Sequence, residues 1–180
     1  MNQRNLKKLS FILQTYFEPT IAKEIKKTYG NREVIKSVRN VAKKINFPLI
    51  AFLDAGSARS AFSFLWGGKK YVLKVVMNNH SEQHDYERET WHNSPKSVKL
   101  HLAKIYYDSE TIIVMEYVKP TFRRDKDFDE EKTPILQKSA LLSAIEFVGT
   151  SRVEDYLEIR RQLGRRLTCK KKMVIYDYGM

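Results

Sequence analysis

The sequence predicts a mixed α+β fold: a basic helical preface, an antiparallel five-stranded sheet that takes in one helix, and a reduced, helical C-terminal part. Three observations carry that prediction. Apolar residues recur at three- and four-residue steps as far as Ile45, the spacing of a helix face. After Pro48 the period changes to short apolar runs, with the Gly67-Gly68 pair between two of them. Such a pair suits a tight hairpin, because both central residues take φ > 0. Beyond Pro134 the helical spacing returns through Ile135, Leu136, Ala140, Leu141, Ala144, Ile145 and Val148.

Taken in order, residues 5–29 predict a helix whose stripe is Leu6, Leu9, Leu13, Phe17, Ile21 and Ile25, with Pro19 kinking or dividing it. Gly30-Asn31 stops it, and Asn31 is placed to cap a second helix carrying Val34, Ile35, Val38, Val41, Ala42 and Ile45. Strands are expected at Leu49–Leu53, Ala61–Trp66 and Lys69–Met77, the first two joined by the small-residue loop Asp54–Ser60. A helix over 80–93 ends near Pro95, and a second hairpin runs from Lys104–Asp108 to Thr111–Val118 around Ser109-Glu110. The charged segment to Lys132 reads as a linker. Thr133 then caps a helix with Pro134 at its first position, Gly149 ends it, and Ser151 begins another through Ile159. The corresponding division is 1–47, 48–118 and 119–180.

Composition bounds the function. At 180 residues and 42% hydrophobic the chain can bury one respectable core. No apolar run approaches the ~20 residues that span a bilayer, and no apolar leader opens the chain. With a single cysteine, Cys169, no internal disulfide is expected, and the reading is a cytoplasmic protein with no membrane partner. The net charge of +12 is uneven: residues 1–48 hold eleven Lys/Arg against three acids, and 158–172 hold seven against one. Such patches attract nucleic acid or acidic proteins, or serve only as a solvated basic surface. His80 and His84 share a helical spacing, but Ser81 follows His80 where a zinc-protease motif has glutamate. Cys169 lies among basic residues without a His/Asn partner pattern.

The residues that carry chemistry come in a distinctive order. Lys74 is the single charge in the run Tyr71–Met77. Glu87 follows on a helical pattern, favoured over Glu89 because Trp91 stands at i+4. Met115-Glu116-Tyr117-Val118 closes a buried-looking strand, and the apolar run Met173–Tyr176 leads into Asp177-Tyr178-Gly179. Gly56-Ser57-Ala58-Arg59-Ser60 is a candidate phosphate loop, with backbone N–H groups to cradle an anion and Arg59 to add charge.

In this order the parts resemble the nucleotide site of the protein-kinase superfamily, and in particular the small kinase-like proteins common in bacteriophage genomes. The resemblance covers about residues 49–180, more closely up to 118. It implies a kinase-like small lobe (the five-stranded sheet with one helix), the basic helices as an extension and a reduced helical large lobe, in the host cytoplasm if viral. It implies ATP and Mg²⁺ as ligands. Lys74 would hold the α- and β-phosphates, with Glu87 fixing that lysine. Gly56, Ser57 and Arg59 would line the phosphate loop. Met115 would border the adenine pocket, the Glu116 carbonyl and Val118 N–H would bind adenine, and Asp177 would bind metal.

The catalytic loop departs from the family pattern. Counting back from Asp177, the nearest counterpart is Asp155–Gly164, with Gln162 where a second metal ligand belongs and Leu157 at the base position. Asp155 and Glu158 are the substitute bases, neither in register. The sequence ends three residues after Asp177, where a kinase continues into its substrate-docking segment. Three readings follow: a nucleotide-binding pseudokinase or very weak phosphotransferase acting through binding; an active minimal kinase of protein or small-molecule substrates; or a basic nucleic-acid-binding protein on a kinase-like scaffold.

Overall fold

A computed structural model describes residues 3–26, 30–56, 58–77, 82–120, 163–166 and 173–175. The chain divides into two compact units, residues 1–85 with 105–116, and residues 86–104 with 117–180.

In the first unit, α1 (Gln3–Ile12) runs through a π-turn at Leu13–Phe17 into α2 (Glu18–Ile25), and α3 (Asn31–Lys44) packs back on α2. The π-turn answers two sequence features. Pro19 has no N–H and its ring crowds the preceding turn; just upstream the backbone widens, with Glu18 N–H donating to Leu13 O. The apolar stripe also steps by four, and in a regular α-helix each such step drifts ~40°. One wide turn offsets that drift, and Leu9, Leu13, Phe17, Ile21 and Ile25 are all fully buried. Asn31 is not the cap of α3: Gly30 is, in extended conformation, with Glu33 and Val34 N–H donating to its carbonyl at 3.1 Å. Asn31 is the first residue of the helix, and its buried Oδ1 has no hydrogen-bond partner.

The sheet comprises β1 (Leu49–Ala55), β2 (Arg59–Trp66), β3 (Lys69–Val76), β4 (Ile105–Asp108) and β5 (Ile112–Glu116), antiparallel in the order β1-β2-β3-β5-β4. Gly67 and Gly68 have φ of 54° and 75°, as a two-residue hairpin with positive φ at both positions requires. The β1–β2 pairing carries two register shifts. The second hairpin turns at Ser109, whose Oγ accepts from Thr111 and Ile112 N–H at 3.3 and 3.2 Å.

One face of this sheet (Phe62, Phe64, Tyr71, Leu73, Val75, Ile112 and Val114) forms a single core with the stripes of α1, α2 and α3. Phe47 sits in its middle, its ring 5.1 Å from Phe17 and 5.0 Å from Phe64. Trp66 Nε1 donates to Asn5 O at 2.9 Å, fastening the start of α1 beside the β2–β3 hairpin. The basic helices are thus the cover of one sheet face.

α4 (Glu82–Asn93) begins in the first unit, where His84 Nε2 lies 2.7 Å from Ser109 O. The second unit holds the rest of α4, a short α5 (Lys96–Lys99) and a sheet of β6 (Val118–Pro120), β7 (Leu163–Arg166) and β8 (Met173–Ile175), antiparallel in that order. Here the sequence expectation needs correcting twice. Val118 does not end the strand that starts near Thr111; β5 stops at Glu116, and Val118 opens β6 in the other sheet. Of the described residues after 120, Leu163–Arg166 form a strand within a part that was expected to be helical. Leu163 and Gly164, at the close of the catalytic-loop counterpart, belong to β7. The helices expected over 133–149 and from Ser151 lie outside the described residues, whereas the apolar strand before Asp177 is present as β8, with Val174 fully buried. Among the described residues no helix is long and apolar enough to cross a membrane.

Candidate functional site

Strand alternation puts neighbouring side chains on opposite faces. Because Tyr71, Leu73 and Val75 enter the helix-covered core, Val72 and Lys74 turn to the other face. Register then defines what stands beside them. Lys74 lies between Ala61 on β2 and Ile113 on β5, and Val72 lies between Ser63 and Met115. Lys74 is 6% exposed in this central strand, Ile113 and Met115 are buried, and Ala61 and Val72 are half-buried. The result is an apolar surface of small and aliphatic residues with one ammonium group set into it.

A buried ammonium group is costly unless paired and hydrogen-bonded. The same holds for Glu87, whose side chain is fully buried on α4. Neither residue is without a partner. Glu89, the alternative for the same role, is exposed. The buried residues of α4 are all polar (His84, Glu87 and Thr90), and just past its end the buried Ser94 donates its Oγ to Thr90 O at 2.5 Å. Trp91 is half-buried and carries Lys99 Nζ 5.5 Å from its ring centroid, a cation–π contact within the second unit.

The expected phosphate loop is shorter than the sequence suggested, because β1 continues to Ala55 and β2 starts at Arg59. Gly56 N–H donates to Arg59 O at 2.9 Å and Met77 N–H to Ala58 O at 2.9 Å, which pins the turn at both ends. A Cβ on Gly56 would meet nothing within 4 Å, so the space above its backbone is open. Arg59 is only 9% exposed, and Ser57 lies outside the described residues. Along the Met115–Val118 segment Met115 is 1% exposed, Glu116 half-buried and Val118 buried. The chain passes from the first compact unit to the second between Glu116 and Tyr117, within the Met115–Val118 segment.

Ala61, Ser63, Val72, Lys74, Ile113 and Met115 therefore share one sheet face by register. Asp177, Gln162, Glu158 and Asp155 lie outside the described residues. Sequence reasoning missed Ser63. It is fully buried, and its Oγ has no hydrogen-bond partner, a state that costs roughly 1–3 kcal/mol. The signal was present: on β2, small Ala61 and Ser63 alternate with Phe62 and Phe64, so one face is filled by rings and the other is left shallow. His84 Nε2 is tied to Ser109 O; His80 lies outside the described residues.

No protein-family model matches this chain, and no curated protein is similar enough to match it.

Proposed function

We propose that this chain is a kinase-like nucleotide-binding protein, of the type encoded by bacteriophages, that holds ATP with Mg²⁺ and acts through binding, with phosphotransfer absent or very slow. The observation that carries the reading is Lys74. It is a buried lysine in the central strand, on the face opposite the helical cover, in register with Ala61 and Ile113 and two residues along the strand from Val72, which pairs with Met115. An anion placed there strengthens the case for a charged lysine in apolar surroundings. On the same face stand the half-buried Ala61 and Val72 and the Ser63 hydroxyl, which has no hydrogen-bond partner.

In this proposal Lys74 engages the phosphates, Glu87 orients Lys74, and the Gly56–Arg59 turn approaches the phosphates with its backbone. Met115, Glu116 and Val118 border and bind the base. Asp177, with Gln162 as the second candidate ligand, would hold Mg²⁺, which when bound neutralises phosphate charge. The short catalytic-loop counterpart, with Leu157 at the base position, is the ground for placing phosphotransfer below binding.

Thermal unfolding with millimolar ATP, with and without Mg²⁺, tests the reading. A ligand at a hundredfold excess over Kd stabilises the native state by about 2.7 kcal/mol, and Lys74→Ala should remove most of the shift. No shift at millimolar ATP would sink the nucleotide site and leave the scaffold carrying a basic nucleic-acid-binding surface as the better account.

A further inference from the structure

α3 carries five cations (Arg32, Lys36, Arg39, Lys43 and Lys44) against one acid, Glu33. Four of them, Arg32, Lys36, Arg39 and Lys43, recur at four- and three-residue steps and are exposed. That spacing makes a continuous positive ridge on one helix face. The ridge runs beside β1, which stands at the end of the sheet order. The outer edge of β1 has no strand across it among the described residues.

β1 reads Leu-Ile-Ala-Phe-Leu-Asp-Ala. Edge strands are ordinarily guarded by lysine, proline or inward charges, because their free N–H and C=O groups otherwise recruit another strand. This one has no lysine and no proline, its lone charge is Asp54 near the end, and Leu53 is 41% exposed. Between ridge and edge lies a cleft of about 250 Å³. Ala42 and Phe47 line it from the helix side, Leu49, Ala51 and Phe52 from the strand side, and Arg39 and Lys43 stand over it. The volume suits one or two apolar side chains.

We infer that this cleft is a docking site for an extended acidic peptide, which adds to the outer edge of β1, sets an apolar side chain against Phe47 and Phe52, and lays its carboxylates along Arg39 and Lys43. The edge selects an extended main chain, since backbone pairing supplies affinity whatever the side chains. The cations select acids by charge complementarity, which acts most on association rate and specificity. A nucleic acid would match the charge and leave the β1 edge unpaired. The site lies wholly within the first unit and does not depend on the nucleotide reading.

The test uses the full chain and a short labelled peptide that alternates glutamate with valine and phenylalanine, measured by fluorescence anisotropy and by hydrogen exchange. The peptide should bind, and slow the amide exchange of residues 49–55. Arg39→Glu with Lys43→Glu should weaken it about tenfold or more, the equivalent of 1.4 kcal/mol, while the same reversal at Lys7 and Lys8 leaves it unchanged. Equal binding of a lysine-for-glutamate peptide would overturn the inference, as would equal sensitivity to the Lys7/Lys8 reversal or binding without protection of β1. Tighter binding of a thymidine oligonucleotide at Arg39 and Lys43 would assign the ridge to nucleic acid instead. Should the Arg39/Lys43 variant fail to fold, protection of β1 in the unaltered protein by the acidic peptide, and not by its lysine counterpart, decides the matter.

Discussion

Tyr107 donates its hydroxyl to Glu18 Oε2 at 2.6 Å, joining edge strand β4 to helix α2 across 89 residues of sequence. The bond ties the helical cover to the far side of the sheet, opposite the end at which Trp66 holds α1 through Asn5 O. Tyr107→Phe should cost about 1.5 kcal/mol in urea denaturation, the lower end of the range for a hydrogen bond to a charged group, since the site is half-buried.

The same tyrosines set an alkaline limit. Burial raises the Tyr107 pKa well above its ordinary value of 10, and the hydrogen bond and charge of Glu18 add to it. Burial, with Tyr106 adjacent, pushes Tyr71 up to about 12. A folded-state pKa raised in this way gives stability that is fully present below the unfolded value and lost as pH rises toward the folded one. Stability should therefore stay level on this account up to pH ~10 and fall from there to ~12. Tyr107→Phe should flatten part of that fall, and an unchanged profile would refute the assignment.

Gly67 and Gly68 separate backbone strain from crowding. Both have positive φ, but a Cβ on Gly67 would sit 2.9 Å from Asn5 Nδ2, whereas one on Gly68 meets open space. Each change to alanine carries about 1–2 kcal/mol of left-handed strain. Gly67→Ala should cost more than Gly68→Ala, the excess being small because the Asn5 side chain can turn aside. Equal melting temperatures would show that Asn5 moves without cost.

Phe17 reports whether helices and sheet unfold as one body. It is fully buried, in contact with Phe47, which in turn meets Phe64 on β2. Phe17→Ala should cost about 3–5 kcal/mol and shift the unfolding of helical and sheet signals together. Separate transitions would instead make residues 3–44 an appendage.

Much of this fold is legible in the sequence because its signals are local. Gly67-Gly68 fixes a hairpin, Ser109-Glu110 marks another, and the apolar stripes of α2 and α3 name the buried hydrophobic residues, with Ile35 and Ile45 only half-buried and the buried Ser37 outside the stripe. The stripes do not say what they are buried against. Periodicity leaves the partner of a helix face open, so the shared core with Phe62, Phe64 and Leu73 had to come from the structure. The sheet of β6, β7 and β8 was hidden for a different reason. Its pairings join Val118–Pro120 to Leu163–Arg166 across a long separation, and a strand reading Leu-Gly-Arg-Arg has neither alternation nor β-branched residues to announce it. At the site, Lys74 stood out as a lone charge in an apolar run. Ser63 did not, since a serine in a strand is unremarked until both its burial and its missing partner are known.

Phosphotransfer should be undetectable or very slow even where ATP binds. A hydroxyl substrate needs a positioned base and an in-line geometry, and on the proposed kinase-like reading the base position falls on Leu157. Incubation with ATP and Mg²⁺ or Mn²⁺ should give no more phosphate incorporation than Asp177→Ala. Robust Asp177-dependent labelling would make the chain an active kinase, and its loss in Glu158→Gln but not Asp155→Asn would name the base.

Lys74 and Glu87 decide how the nucleotide reading is built. Both are buried, one on the central strand and one on α4, and the proposal makes them an ion pair. Breaking a buried pair by removing one partner leaves an uncompensated charge and costs about 3–5 kcal/mol. Lys74→Met and Glu87→Gln should therefore each destabilise the protein. The double variant should cost less than their sum, with a coupling of roughly 0.5–3 kcal/mol. It should also fail to gain stability from ATP, because the group that meets the phosphates is gone. Additive single effects would separate the two residues. Glu89→Gln, an exposed position, should leave both stability and ATP response unchanged; coupling of Glu89 with Lys74 would transfer the role to it.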